Sequence, residues 1–572
     1  MEASNLYLLI GGALVLLSIL ATALSARFGV PVLLIFLTLG MLAGEDGLGH
    51  IRFHDVHLAY LIGNLALALI LLDGGLRTRI ATFRAGLRPA LSLATVGVAL
   101  TALLTGGFIA WAFGIDLRYG LLLGAIVSST DAAAVFAALS QTGVSLNRRV
   151  GATLEIESGA NDPMALFLVA TLAGVIARGE DIAPLMLLAE LARQFGIGLI
   201  LGVPLAHVTG LALMRLSLIE GLQSLLLTSA GVATFAIINA AGGSGFLGIY
   251  LFGVLIGNTR ARCVAGLLPV MGGYAWLSQA GMFLVLGLLV TPSALIDRMG
   301  IAVSTALFLI LVARPVAVAV ALWPFRFPLR EVSYISWIGL RGAVPIVLSL
   351  FPVMASLPGG QPLFEITFVV VLTSLLIQGT TVASTARWLR VRAPRQPQPF
   401  DRKRLALERV DDFELFHFRV EAHAHASGRT VALPQTLPET RCVAVERNRE
   451  LFFPDAEFEL REGDQVFLIA PATTLPDLAR LFAGEVRRDS LSQRAFFGDF
   501  SLEADTTVAD LAEVYGLPVA AGEPRLTLAQ LLRRRLARTP VEGDSVVVGA
   551  LCLTVRELGP AGEIRKVGMK LR

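Results

Sequence analysis

The chain has 572 residues, 55% of them hydrophobic and only 16% charged, with a mean hydropathy of +0.71. Soluble domains run at about 25% charged, so most of this length cannot be an ordinary soluble globule. The formal net charge of +3 says little by itself and no nucleic acid polymer is expected as a partner, while the three scattered cysteines (Cys263, Cys442, Cys552) exclude a disulfide framework.

From Leu6 to about Ala386, long apolar segments follow one another with short polar breaks. From Arg390 onward charges are frequent, and no apolar run approaches the ~20 residues needed to span a bilayer. Apolar windows fall near 6–25, 31–44, 58–76, 89–112, 119–140, 149–177, 184–213, 219–240, 244–258, 264–290, 299–322, 332–354 and 363–386, which gives about thirteen spans. The first is long enough to cross and lacks a basic flank before it, so no cleavable signal peptide is needed. The second is short for a straight crossing. The expected fold is an all-α polytopic membrane protein over residues 1–390, then a linker at 391–410 and a cytoplasmic α+β tail.

Loop arginines set the orientation. With the N-terminus outside, in the periplasm, the inner loops hold Arg27, Arg77, Arg79, Arg84, Arg88, Arg148, Arg149, Arg215, Arg260, Arg262, Arg326 and Arg330. The outer loops hold only Arg52, Arg118, Arg178 and Arg298. An odd number of spans then puts the tail in the cytoplasm.

Four places inside the apolar stretches carry groups that lipid rejects, and such groups by default mark an ion or proton pathway. The first in chain order is Asp73, in L-L-D-G-G-L late in span three. The second is S-S-T-D-A-A-A at 128–134, in the middle of span five. Ser, Thr and Asp side chains compete with a helix by bonding to their own backbone, so a break is expected there. Asp131 would sit at the positive N-terminus of one half-helix, where the dipole favours an anion.

The third place is E-S-G-A-N-D-P at 157–163, at the head of the apolar run of span six. Glu157 and Asp162 are five residues apart and do not share a helical face. They can therefore have separate jobs. Glu157 needs a buried arginine, because an unpaired buried charge is costly. Asp162 is left as the group that titrates. A carboxylate in apolar surroundings holds a proton more readily than one in water, so one site could take a proton or a cation in competition. Oxygens of Thr130, Ser158 and unwound carbonyls could complete the shell of a monovalent cation.

The fourth place is a pair of arginines, Arg314 in L-V-A-R-P and Arg341 in G-L-R-G-A-V-P. Gly339, Arg341, Gly342 and Pro345 interrupt span twelve. Spans five and twelve hold corresponding positions in two six-span halves, 1–6 and 8–13. Two interrupted helices so placed predict inverted repeats with crossed broken helices and the site between them.

Together these segments carry a resemblance. E-S-G-x-N-D-P, T-D-A in span five, L-x-D-G-G-L in span three, G-L-R-G-A-V in span twelve and G-G-S-G-F-L-G-I-Y-L-F-G at 242–253 resemble the NhaP-type cation/proton antiporters. The similarity covers about residues 5–390. It implies a thirteen-span homodimer in the bilayer of the bacterial inner membrane, each protomer with a dimerisation domain and a mobile core that moves like an elevator. By motif match it implies Asp162 as the ion and proton carrier, with Ser158 and Thr130 as cation ligands. Asn161 stands where the electrogenic branch has a second Asp, which implies one-for-one, electroneutral exchange. Glu157 matches a carboxylate paired with the arginine of G-L-R-G, here Arg341, and Arg314 matches a second core arginine. Two positions depart from the pattern: Asp73 is often Glu, and Ala132 replaces a common Pro.

The linker R-A-P-R-Q-P-Q-P-F-D-R-K-R at 392–404 should be an extended spacer. Residues 411–486 alternate strand-like pieces with turns and resemble the C-terminal ligand-binding subdomain of potassium-conductance regulators. Residues 490–572 resemble the transporter-associated domain of CorC-type proteins. That pairing resembles the potassium/proton branch and implies an unknown small regulatory ligand on the tail. The tail lacks G-x-G-x-x-G, which disfavours NAD gating, and His417, His423 and His425 read as a solvated or interface face.

The function expected is an antiporter of a monovalent cation, K+ before Na+, against H+, with no cofactor beyond the transported ions. A potassium channel or uniporter is disfavoured because no T-V-G-Y-G-like filter is present. A membrane enzyme is disfavoured because the buried groups lack a nucleophile and base pair.

Overall fold

A backbone in lipid has no water to bond with and must satisfy its own polar groups, so apolar windows become helices. The computed structural model describes residues 9, 11–22, 31–78, 80–142, 144–179, 184–216, 218–259, 264, 266–393, 401–404, 413–421, 424–431, 439–471, 474–482, 497–498, 500–515, 523–536, 540–559 and 562–571. Arg27, Arg79, Arg260, Arg262, Cys263, His423, most of the linker and the domain joins at 411 and 486–490 lie outside them.

Among the described residues, eight helices are long and apolar enough to cross a membrane: Val56–Arg77, Gly86–Phe113, Arg148–Arg178, Leu188–Arg215, Gly221–Ala240, Leu268–Leu289, Met299–Phe325 and Gly360–Trp388. Five shorter apolar helices are Gly11–Thr22, Val32–Ala43, Leu117–Ile126, Gly245–Thr259 and Ala343–Met354. Each expected window holds one of these helices. Two windows are split, as the polar runs inside them require. The window at 119–140 is Leu117–Ile126 followed by Ala132–Gln141, and that at 332–354 is Leu329–Trp337 followed by Ala343–Met354.

The helices pack as two groups. Val32–Ala43, Val56–Arg77, Pro184–Arg215, Glu220–Ala240, Gly245–Thr259 and Leu268–Leu289 pack chiefly on one another. The helices between Ile80 and Arg178 pack with those between Met299 and Trp388. The groups meet where Val56–Arg77 and Gly245–Thr259 face Arg148–Arg178 and Ala343–Met354. The second group holds both split helices. It also holds three π-turns, Leu93–Gly97, Leu309–Ala313 and Leu375–Gly379, the last two next to site residues, as π-bulges often are.

Residues 393–572 form a separate unit. Its first part is a five-stranded antiparallel sheet with strands in the order 401–404, 413–419, 465–471, 441–447, 450–452. Strand residues point alternately to two faces, so Phe416, Phe418, Val466 and Leu468 share one face and bury against helix Leu475–Phe482. On the other face His417 stacks on Phe467 and bonds Gln465. Its second part is a four-stranded sheet in the order 500–503, 564–571, 551–558, 545–548, with helices Val508–Tyr515 and Leu528–Leu536 and its own apolar core.

Candidate ion-binding site

The first break begins where Ser128 turns its hydroxyl onto the Ala125 carbonyl at 2.7 Å. It ends at Asp131, whose Oδ1 accepts from Ala134 N–H at 3.0 Å and caps the second half-helix. Four residues of unwound backbone need partners inside an apolar interior. The neighbouring helix Arg148–Arg178 and the second break supply them. Asn161 Nδ2 donates to Thr130 Oγ1 at 2.6 Å and to Thr130 O at 3.3 Å. Ser158 Oγ donates to Thr130 O at 3.2 Å and accepts from Ala132 N–H at 3.1 Å. The two breaks touch directly: Asp131 N–H donates to Leu340 O at 2.8 Å.

The second break is held by groups that the sequence reading passed over. Gln378 Nε2 donates to Trp337 O at 2.5 Å, and Arg341 N–H donates to Ser374 Oγ at 3.0 Å. Ser374 in turn donates to Gln378 Oε1 at 2.6 Å. Gly342 follows, and a Cβ there would collide with Asp131 Oδ2. Glycine is the residue that lets one broken helix reach the other. Gly342→Ala is expected to push Asp131 off its cap and lower the exchange rate at least tenfold, against little change for Gly300→Ala, where nothing lies near; equal rates for the two variants would show that the close approach is unimportant.

Asp162 lies on the same helix as Ser158 and Asn161 and is 8% exposed. Its Oδ1 accepts from the Ser129 hydroxyl. A cavity against it is lined by Asn64, Leu67 and Leu71 of one helix group and by Val344, Val347 and Leu348 of the other. Ser129 and Asn64 are the site neighbours the sequence reading missed. Ser129 was visible as one hydroxyl of S-S-T-D, but only packing selects it over Thr130. Thr130 and Ser158, expected as cation ligands, mainly tie the break to Arg148–Arg178 here. Asn161 Oδ1 is buried with no hydrogen-bond partner among the described residues, an oxygen beside Asp162 suited to a hard cation.

The arginine assignment changes. Glu157 was expected to pair with Arg341, but its Oε1 lies 2.6 Å from Arg314 Nη2, with both side chains almost wholly buried. Arg341 instead spends Nη1 on the carbonyls of Ser128 and Ser129, at 2.6 and 2.5 Å. Those carbonyls lost their helical donors at the break, and a guanidinium in reach satisfies them. Asp73 forms a separate ion pair. It lies in the other helix group, away from Glu157 and the two core arginines, bonded through both oxygens to Arg77 at 2.9 Å one turn away. Arg77 also donates to Leu268 O at 3.0 Å, which fixes helix Val56–Arg77 to Leu268–Leu289. With the two core arginines held by Glu157 and by backbone, Asp162 bonds the uncharged Ser129 and has the carboxylate of Asp131 as a neighbour.

The family model for the transmembrane sodium/hydrogen exchanger matches residues 13–388. A TrkA-C domain model matches 415–483, and a transporter-associated domain model matches 493–572. The chain is 44% identical to the K(+)/H(+) antiporter NhaP2 of Shewanella oneidensis, over 100% of this chain and 99% of that one. It is 40% identical to the K(+)/H(+) antiporter NhaP of Alkalimonas amylolytica, again over 100% and 99%. Among solved structures, the sodium proton antiporter MjNhaP1 of Methanocaldococcus jannaschii shares the fold with a TM-score of 0.60 at 23% identity, covering 68% of this chain and 99% of that one. The chain belongs to the transmembrane sodium/hydrogen exchanger family, as an NhaP-type, multi-pass membrane protein with a TrkA-C and a transporter-associated domain in its tail.

Proposed function

We propose that this chain is an electroneutral antiporter that exchanges cytoplasmic K+ for external H+ across the bacterial inner membrane. The observation that carries the reading is Asp162: one buried carboxylate, at the crossing of two broken helices, bonded to a hydroxyl and set beside an uncharged Asn161. A cation and a proton then compete for the same oxygens. One binding charge is neutralised in either case, so the moving site carries the same charge in both directions. Asp162, the Ser129 hydroxyl, Asn161 Oδ1, Ser158 and Thr130 would share the cation, with Asp131 shaping the field at the half-helix N-terminus. The names of the full-length relatives support K+.

The two helix groups serve as the dimerisation domain and the mobile core of a homodimer, and the core carries the site from one face to the other. The N-terminus is periplasmic and the tail cytoplasmic, where a small ligand controls transport. Everted vesicles test the reading. K+ should collapse a preformed pH gradient, more strongly than Na+ or Li+, at a rate independent of membrane potential. A stronger response to Na+ would make this a Na+/H+ antiporter. Dependence on potential would sink electroneutrality, and an unchanged rate after removal of residues 393–572 would sink control by the tail.

A further inference from the structure

Glu155 lies two residues before the acidic cluster, in a stretch that the antiport reading leaves without a role. On helix Arg148–Arg178, Glu155, Gly159 and Asp162 follow one another at i, i+4 and i+7 and so share one face. Seven residues put Glu155 about 10 Å from Asp162 along the axis, on the side of the Arg148 end. Glu155 Oε1 accepts from Thr78 Oγ1 at 2.8 Å. Thr78 caps the end of helix Val56–Arg77, which belongs to the other helix group. The bond therefore crosses from one group to the other.

Two more observations point to the same place. Tyr250, on Gly245–Thr259, lays its ring against Gly159, where a Cβ would lie 2.6 Å from it. Its buried hydroxyl sits beside Thr78 and Glu155. The ring thus stands between Glu155 and Asp162. Thr78 is also built to let go. Its hydroxyl has a second acceptor, Gly74 O at 2.8 Å, so it stays satisfied when Glu155 departs. Its carbonyl is held by Asn258 Nδ2 at 2.8 Å, which keeps the helix end in place.

We propose that the Thr78–Glu155 hydrogen bond fastens a gate between the Arg148 end of the helix and Asp162, with the Tyr250 ring as its plug, and that it opens once in each transport cycle. This rests on the antiport reading, in which the two helix groups move past each other: a bond between them must break when they do. It makes Glu155 a positioning residue that biases which side the site faces. While the gate is shut, a cation arriving from the Arg148 side binds only the open fraction of molecules, which raises its apparent KM.

The test uses the full chain in everted vesicles, with K+ added to the face bearing the Arg148 end. Thr78→Val and Glu155→Leu, which remove the donor and the acceptor of that bond, should each lower the apparent KM for K+ about tenfold, the size of one charge-assisted hydrogen bond. The double variant should show the same fall and no more, and Thr78→Ser, which keeps the hydroxyl, should restore the native KM. General damage to the fold would lower Vmax without lowering KM. Should Glu155→Leu fail to insert, Thr78→Val against Thr78→Ser decides alone. A native or raised KM in Thr78→Val, or a double effect equal to the product of the two singles, overturns the gate. Absence of exchange in the native chain would instead overturn the antiport reading.

Discussion

Asp162→Asn should abolish cation-induced collapse of a pH gradient in everted vesicles, with the protein still present in the membrane at native levels. An amide keeps the shape of the carboxylate and can still bond Ser129, so the fold has little reason to suffer. What it loses is the charge that attracts a cation and the oxygen that takes a proton. Both halves of the exchange end together, and the loss is complete rather than partial. In the native protein the same logic predicts that lowering the pH raises the apparent KM for the cation, because protons occupy the site it needs. Retained exchange in Asp162→Asn, or a KM indifferent to pH, would remove Asp162 from the mechanism.

The second large effect is on stability. Glu157 and Arg314 are a buried ion pair, and removing one partner leaves the other charge without compensation, at a cost of about 3–5 kcal/mol. Glu157→Gln and Arg314→Met should each lower the melting temperature of the detergent-solubilised protein sharply. Joining them as Glu157→Leu with Arg314→Met should recover much of the loss, since replacing both charges by apolar groups is often nearly neutral. Arg341→Met should not be rescued by Glu157→Leu, because its guanidinium serves the carbonyls of Ser128 and Ser129. If Glu157 proves coupled to Arg341 and not to Arg314, the pairing described above is wrong.

The membrane domain was legible because its signals are local. Twenty apolar residues in a row mean a helix in lipid whatever surrounds them. S-S-T-D means a break because those side chains bond their own backbone, and Ser128 and Asp131 do so here. The second split window was found from Gly339, Arg341, Gly342 and Pro345, which interrupt its apolar run. The motifs around Asp162 named a family, and the whole-chain relatives belong to it.

The partners were not legible, because they come from distant helices. Sequence alone offered two arginines for Glu157, and spacing along the chain cannot rank residues 157 positions apart against others 184 apart. The choice fell to Arg314 once Arg341 was drawn to the carbonyls freed at the first break. The same holds for Ser129 over Thr130 beside Asp162, for Ser374 and Gln378 at the second break, and for Thr78 opposite Glu155. Residue chemistry along the chain marks where polar groups enter the apolar domain. Which groups neutralise, orient and enclose them follows from the packing of distant helices. Charge and backbone habit are properties of a residue, whereas compensation for a buried charge belongs to whatever packing brings within about 3 Å of it.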